Sequence, residues 1–214
     1  MLAFANCFPY DGPMITGSTP RDDNDARARV KPSRRDQILA AAAELFAQHG
    51  FRGVGIDDIG AAVGITGPAL YRHFRSKDAM LGEMLTKISE YLLAGGTARL
   101  ERDGDPDEIL AGLVRFHVDF ALKQPALITV QERSLASLAD DDRRTVRGIQ
   151  RRYVEVWVSA VRAAVPRLDE AGARSAAHAV FGLMNSTPYH RHLPDDELAE
   201  LLIRLALGAL YAAK

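Results

Sequence analysis

Between Gly64 and Ser76 runs the segment Ile65-Thr66-Gly67-Pro68-Ala69-Leu70-Tyr71-Arg72-His73-Phe74-Arg75, whose residue types could touch a polyanion. Leu70 and Phe74 stand at i, i+4 and point one way, which turns Pro68, Ala69 and Arg72 outward with Tyr71 at the edge. A helix over 66–74 with a small outer face at its start fits closely into a DNA major groove. From there Arg72 and Tyr71 can reach base edges or phosphates. The amides of its first turn, with Thr66 beside them, favour an anion such as phosphate. Pro68 costs nothing in a first turn, where its missing N–H would be unpaired. Because a residue before proline avoids the helical region, the cap is either Thr66 or Gly67.

A second set of residues could hold a small molecule. Phe116 and Phe120 pair at i, i+4, as do Tyr153 and Trp157, the sole tryptophan. His117, Gln150, Arg151, Arg152 and Asn185 could add polar contacts. The same aromatic spacing also suits an ordinary core. His190 and His192 near Asp195, Asp196 and Glu197 have metal-binding types, but Pro188 and Pro194 make a surface loop the simpler reading. No phosphate-cradling glycine loop and no nucleophile elbow occurs, so catalysis has no visible machinery and no cofactor is implied.

These groups need helices to position them. Ser33 or Asp36 can cap a helix over 34–49 with Ile38, Ala42, Leu45 and Phe46 on one stripe, closed by Gly50. A short helix over 56–63 follows, broken by Gly64, and Ser76 can cap a longer one reaching about 93. Further helices are expected over 106–123, 125–138, 141–164, 169–187 and 195–213, punctuated by prolines. No alternating β-branched run makes a strand, so the fold class is all-α. Two short helices offer too little surface to stand alone. They need the 34–49 helix, which predicts a three-helix unit ending in a helix-turn-helix.

The chain has 214 residues, with 47% apolar and 26% charged, the balance of a folded soluble protein. Its formal net charge of -1 gives no bulk attraction to nucleic acid, so any basic surface must come from uneven distribution. Such unevenness appears at Arg27, Arg29, Lys31, Arg34 and Arg35, a cationic run at the end of a Pro- and Gly-bearing segment. Residues 1–33 read as a flexible tail, and Met14 offers an alternative start. One cysteine, Cys7, excludes an intrachain disulfide and suits a reducing cytoplasm. No apolar stretch is long enough to span a bilayer.

The string from Asp58 to Leu81, and above all Leu70-Tyr71-x-His73-Phe74-x-Ser76-Lys77-Asp78, resembles the DNA-binding domain of TetR-family transcriptional regulators. The motif likeness covers about residues 34–81. The resemblance implies a recognition helix from Thr66 to Arg72, including Gly67 and Pro68, with phosphate contacts from His73 and Lys77. It implies that Arg34 and Arg35 reach backbone or minor groove, and that Tyr71 meets a phosphate or base. It further implies a DNA-binding domain over 34–78 and a ligand-binding and dimerisation domain over 79–214. The sequence departs from the family pattern at Gly55, where a hydroxyl is usual, at Gly60 and Val63, where alanine is common, and at Gly67, where a long polar side chain often sits.

The last two helices support a homodimer. Leu198, Leu201, Leu202, Leu205 and Leu210 make 195–213 strongly apolar, and small residues such as Ala173, Ala176 and Ala179 permit close approach. Two-fold symmetry would make the operator on double-stranded DNA palindromic. The expected protein is thus a repressor released by a small-molecule effector. A weak likeness of 150–157 to acyl-CoA-responsive members suggests an acyl-CoA or other lipophilic metabolite. Two alternatives stand beside it: a helical carrier or enzyme with a helix-turn-helix-like corner, and an adaptor that binds protein through 195–213.

Overall fold

A computed structural model of the chain describes residues 32–189 and 192–212. The cationic run from Arg27 to Lys31, Cys7 and His190 therefore lie outside the described residues. Among the described residues there is no strand, and none of the helices is long and apolar enough to cross a membrane.

The DNA-reading candidate comprises α1 (Arg34–His49), a 3₁₀ turn (Phe51–Gly53), α2 (Ile56–Val63) and α3 (Gly67–Leu70). The remainder is α4 (Lys77–Leu100), α5 (Pro106–Lys123), α6 (Pro125–Ser134) with a 3₁₀ turn (Leu135–Ser137), α7 (Asp140–Ala164), α8 (Glu170–Met184) and α9 (Asp195–Ala212). Hydroxyl and carboxylate caps set most starts. The Ser33 hydroxyl accepts from the Asp36 amide at 3.1 Å, Ser76 from Ala79 at 3.0 Å, and Asp169 from Gly172 at 2.7 Å. Pro106 and Pro125 occupy first-turn positions, where no N–H is missed.

Two expectations need correction. The helix expected over 66–74 is regular only over Gly67–Leu70, after which Tyr71–His73 form a turn held by the His73 amide on the Leu70 carbonyl at 2.9 Å. Its cap is Thr66, whose hydroxyl accepts from Ala69 at 3.4 Å. The helix expected to end near 93 continues to Leu100, because Leu92 and Gly96 are still buried there.

Buried side chains from both regions form one continuous core, from Ile38 and Phe46 through Met84 and Leu92 to Trp157 and Leu202. The longest packing line runs between α4 and α7; α7 also rests on α8, α5 on α9, and α1 on α6. The division expected near residue 78 therefore falls within the first turn of α4, with no gap in packing.

The turn between α2 and α3 is unusually close. Gly64 closes α2 in the left-handed region, φ 70°, which an L side chain adopts only with strain. A Cβ at Gly60 would lie 2.7 Å from the Ile65 carbonyl oxygen, so the third helix comes down onto the backbone of the second. Gly60→Ala gains helix propensity but forces this backbone apart. It should lower stability by about 1–3 kcal/mol, read as a lower urea midpoint with the slope unchanged. A raised midpoint would show that the turn yields freely.

Candidate nucleic-acid interface and ligand cavity

Leu70 and Phe74 are buried in the miniature core shared with Ile38, Phe46 and Ile59. That orientation leaves Thr66, Pro68 and Arg72 exposed and Tyr71 55% exposed, a large aromatic turned to solvent. Among the described residues no carboxylate pairs with Arg72. Arg52, on the turn before α2, and Arg75, after Phe74, are exposed cations flanking this face. Neither was singled out from sequence, since an isolated arginine carries no periodic signal.

Other expected contacts are directed elsewhere. Gly67 is buried against the first turn of α2, where a Cβ would meet Asp57 and Ile56, so it faces protein. Arg35 also turns inward: its Nε donates to Glu83 at 2.8 Å, further N–H groups reach Glu83 and the His73 carbonyl, and its guanidinium lies 4.0 Å over the Phe74 ring. The hydrogen bond from Arg35 holds the Glu83 carboxyl below its ordinary range. Lys77 donates to the carbonyls of Phe51 at 2.8 Å and Val54 at 2.7 Å and sits 4.6 Å over the Phe51 ring. Its ammonium closes the loop ahead of α2 and is not presented outward. Arg34 is exposed and spends donors on the Val63 carbonyl at the end of α2 and on Gln37. His73 is half-buried, and its carbonyl serves Arg35.

The larger region forms a cavity of about 230 Å³, open to solvent on the side of His178, between α4, α5, α6, α7 and α8; Ser89, Leu92, His117, Gln131, Gln150, Tyr153, Val154, His178, Phe181 and Asn185 line it. Four expected ligand contacts meet there, His117, Gln150, Tyr153 and Asn185: the His117 ring nitrogens lie 3.1 Å from the Tyr153 hydroxyl and 3.0 Å from Asn185 Oδ1. Burial pushes His117 down to about 4, so the imidazole is neutral near pH 7, and burial pushes the Tyr153 phenol well up.

The other five expected contacts do not line the cavity, among them Arg151, which is exposed. Phe116 lies on the backbone of α4 at Gly95 and under the Arg99 guanidinium, 4.1 Å away. Phe120 packs behind His117 and Tyr91. Trp157 is fully buried behind Tyr153 and Phe181, and Arg152 is exposed on the far side of α7. Phe181 and His178 were missed, although His178, Phe181 and Asn185 fall at i, i+3, i+7 and so share a face of α8. Among the described residues no cluster of metal-ligand types occurs.

Lys77→Met should lower stability by about 1–3 kcal/mol, since two loop carbonyls lose a charged donor, and should leave the salt dependence of duplex binding unchanged. A reduced salt slope with unchanged stability would return Lys77 to the DNA face. His117 gives a pH signature. Its folded value of about 4 lies below the ordinary 6.5, so the unfolded chain binds the extra proton. The stability tied to neutral His117 is complete above pH 6.5 and is lost as pH falls toward 4, about 2 kcal/mol at pH 5. Urea midpoints at pH 7 and pH 5 should show that loss in the native chain and far less of it in His117→Gln.

Comparison with known proteins bears on this arrangement. Residues 38–84 match the model of bacterial regulatory proteins of the tetR family, and residues 103–210 match a tetracyclin repressor-like C-terminal domain. The HTH-type transcriptional repressor KstR2 of Mycolicibacterium smegmatis is 31% identical over 108 residues, 50% of this chain and 53% of that one. KstR2 of Rhodococcus jostii is 27% identical over 68% of this chain and 70% of its own. The chain thus spans about half the length of the first of these relatives. A TetR-family transcriptional regulator from Bordetella parapertussis superposes with a TM-score of 0.73 at 26% identity, over 81% of this chain and 93% of that one. With its helix-turn-helix and its helical C-terminal region both matched, the chain belongs to the TetR family of bacterial regulatory proteins.

Proposed function

We propose that this chain is a homodimeric, sequence-specific DNA-binding repressor, released from a palindromic operator by a small molecule and working in a reducing cytoplasm. The observation that carries the reading is the outward face of α3 and of the turn that follows it, where Thr66, Pro68, Tyr71 and Arg72 are exposed while Leu70 and Phe74 anchor the segment from behind. A short helix held on an internal core and followed by a turn that presents a tyrosine and an arginine matches what a major groove admits. Arg34, Arg52, Arg75 and His73 would add phosphate contacts around it.

The dimer is supported by α8 and α9. Leu205 is 49% exposed, and Ala179, Gly182, Gly208 and Ala209 are exposed beside it, a small-residue and leucine surface suited to close helix packing. Two copies would set their α3 elements about 34 Å apart, one turn of duplex, so half-sites should be one turn apart. The cavity is the effector site in this reading, and its walls bind without offering a catalytic set.

Selection of bound duplexes from random DNA should return inverted half-sites. Arg72→Ala should cost about 1–3 kcal/mol on the selected duplex and relax preference at one position of each half-site. An equal loss on every sequence would limit Arg72 to phosphate. Indifference to all duplexes at low ionic strength would favour the carrier or enzyme alternative.

A further inference from the structure

We propose that the cavity takes an uncharged molecule that places a carbonyl oxygen against the Gln150 amide. The inference rests on reading this cavity as the effector site, and it names the ligand chemistry.

The donors and acceptors of the wall have a direction. Asn185 turns its Oδ1 toward His117 Nε2, so that nitrogen carries the proton and donates; the bare Nδ1 then accepts from the Tyr153 hydroxyl. The chain of bonds runs one way, from Tyr153 through His117 to Asn185. It leaves the Asn185 amide nitrogen as a donor not used on the histidine. Gln150 Nε2 is buried and has no hydrogen-bond partner. The buried Gln150 Nε2 is a donor that lacks an acceptor, and a ligand that satisfies it must bring one; the Gln131 amide on the same wall can donate or accept.

Charge decides among acceptors. Among the described residues, no lysine, arginine, aspartate or glutamate lines the cavity, and His178 at its exposed edge is the remaining basic side chain. A carboxylate or phosphate would enter without a counter-charge, beside a neutral imidazole and a phenol, at a desolvation cost that neutral donors only partly offset. Arg151 and Arg152, expected to hold the phosphates of an acyl-CoA, are exposed and absent from the wall. A ketone, ester or amide oxygen on an apolar or aromatic body meets both demands, with Phe181 and Leu92 offering the apolar contact. The volume, about 230 Å³, falls below the roughly 300–1,000 Å³ usual for small-molecule sites, so the ligand is small.

Trp157 supplies the readout. Its indole is the only one in the chain, its N–H meets no acceptor in hydrogen-bond geometry although the Tyr153 hydroxyl is near, and its ring lies 4.9 Å from that of Phe181. The indole N–H resonance of the full chain would be followed in titrations with acetophenone, ethylbenzene, benzoate and butyryl-CoA. Acetophenone should shift it saturably, ethylbenzene about fivefold more weakly, and the two anions not at all. In Gln150→Leu the ketone and the hydrocarbon should become equal. Tighter binding of either anion than of acetophenone, equal binding of ketone and hydrocarbon to the native chain, an unchanged preference in a folded Gln150→Leu, or no saturable shift with any probe would each overturn the proposal. Should Gln150→Leu not fold, the series on the native chain decides alone. Acetophenone binding that leaves affinity for the selected duplex untouched would strike the effector reading and leave the ligand chemistry standing. Failure of all probes would leave the DNA-binding reading intact.

Discussion

The arrangement depends on α4 being held rigidly by rings that lie directly on its backbone. A Cβ at Gly95 would meet Phe116 at 2.2 Å, and one at Gly96 would meet Tyr153 at 2.7 Å. No side chain separates α4 from α5 and α7 there, so a shift of either ring is a shift of the helix. The helix has 24 residues and is roughly 36 Å long. Its first turn supplies Lys77 to the loop ahead of α2, and its middle supplies Ser89 and Leu92 to the cavity wall. One rod therefore belongs to both regions.

The polar ties at the reading end differ in what they can resist. Arg35, Glu83, Lys87 and Asp36 form a chain of ion pairs between α1 and α4, with Lys87 3.1 Å from Glu83 and 3.2 Å from Asp36. These side chains are about a quarter to two-fifths exposed, so solvent screens them and each pair contributes about 0–1 kcal/mol. They fix direction more than they fix stability. The apolar packing of α1 against α2, α4 and α6 leaves Ile38, Leu39, Ala42 and Ala43 completely buried and is the stronger constraint. A rotation of α4 relative to α1 breaks weak pairs first, which lets a modest differential affinity of a ligand for two states move the equilibrium.

Much of the fold was legible because helix periodicity and punctuation agree. Ser33 and Ser76, Pro106 and Pro125, and Gly50 and Gly64 stand where the helices begin and end. The end of α4 was misplaced because a small-residue stretch, Ala94-Gly95-Gly96, looks like a terminus in sequence, whereas here it is where rings press on the helix. For Tyr71 and Arg72, residue type and local period sufficed to foresee that they turn to solvent. They did not suffice for Arg35 and Lys77, whose partners Glu83 and Phe51 lie 48 and 26 residues away. Long-range carbonyls and carboxylates leave no mark on a local pattern. In the cavity, the i, i+4 aromatic pairs correctly marked the neighbourhood, but the pattern could not tell Tyr153, which faces the space, from Trp157, which seals it.

The polar wall of the cavity links these points. A buried donor without an acceptor costs about 1–3 kcal/mol, and Gln150 stands where an apolar side chain would close the space at no such cost. A ligand acceptor that satisfies it returns that energy only in the state whose cavity geometry brings Gln150 and Asn185 to bear together. Ser89 and Leu92 share the same wall, roughly 18–22 Å along α4 from Lys77. In the proposed reading, α4 is the continuous element that would carry a demand of the satisfied wall to the turn before α2. There, two hydrogen bonds from one ammonium hold the loop on which the placement of α2 and α3 depends.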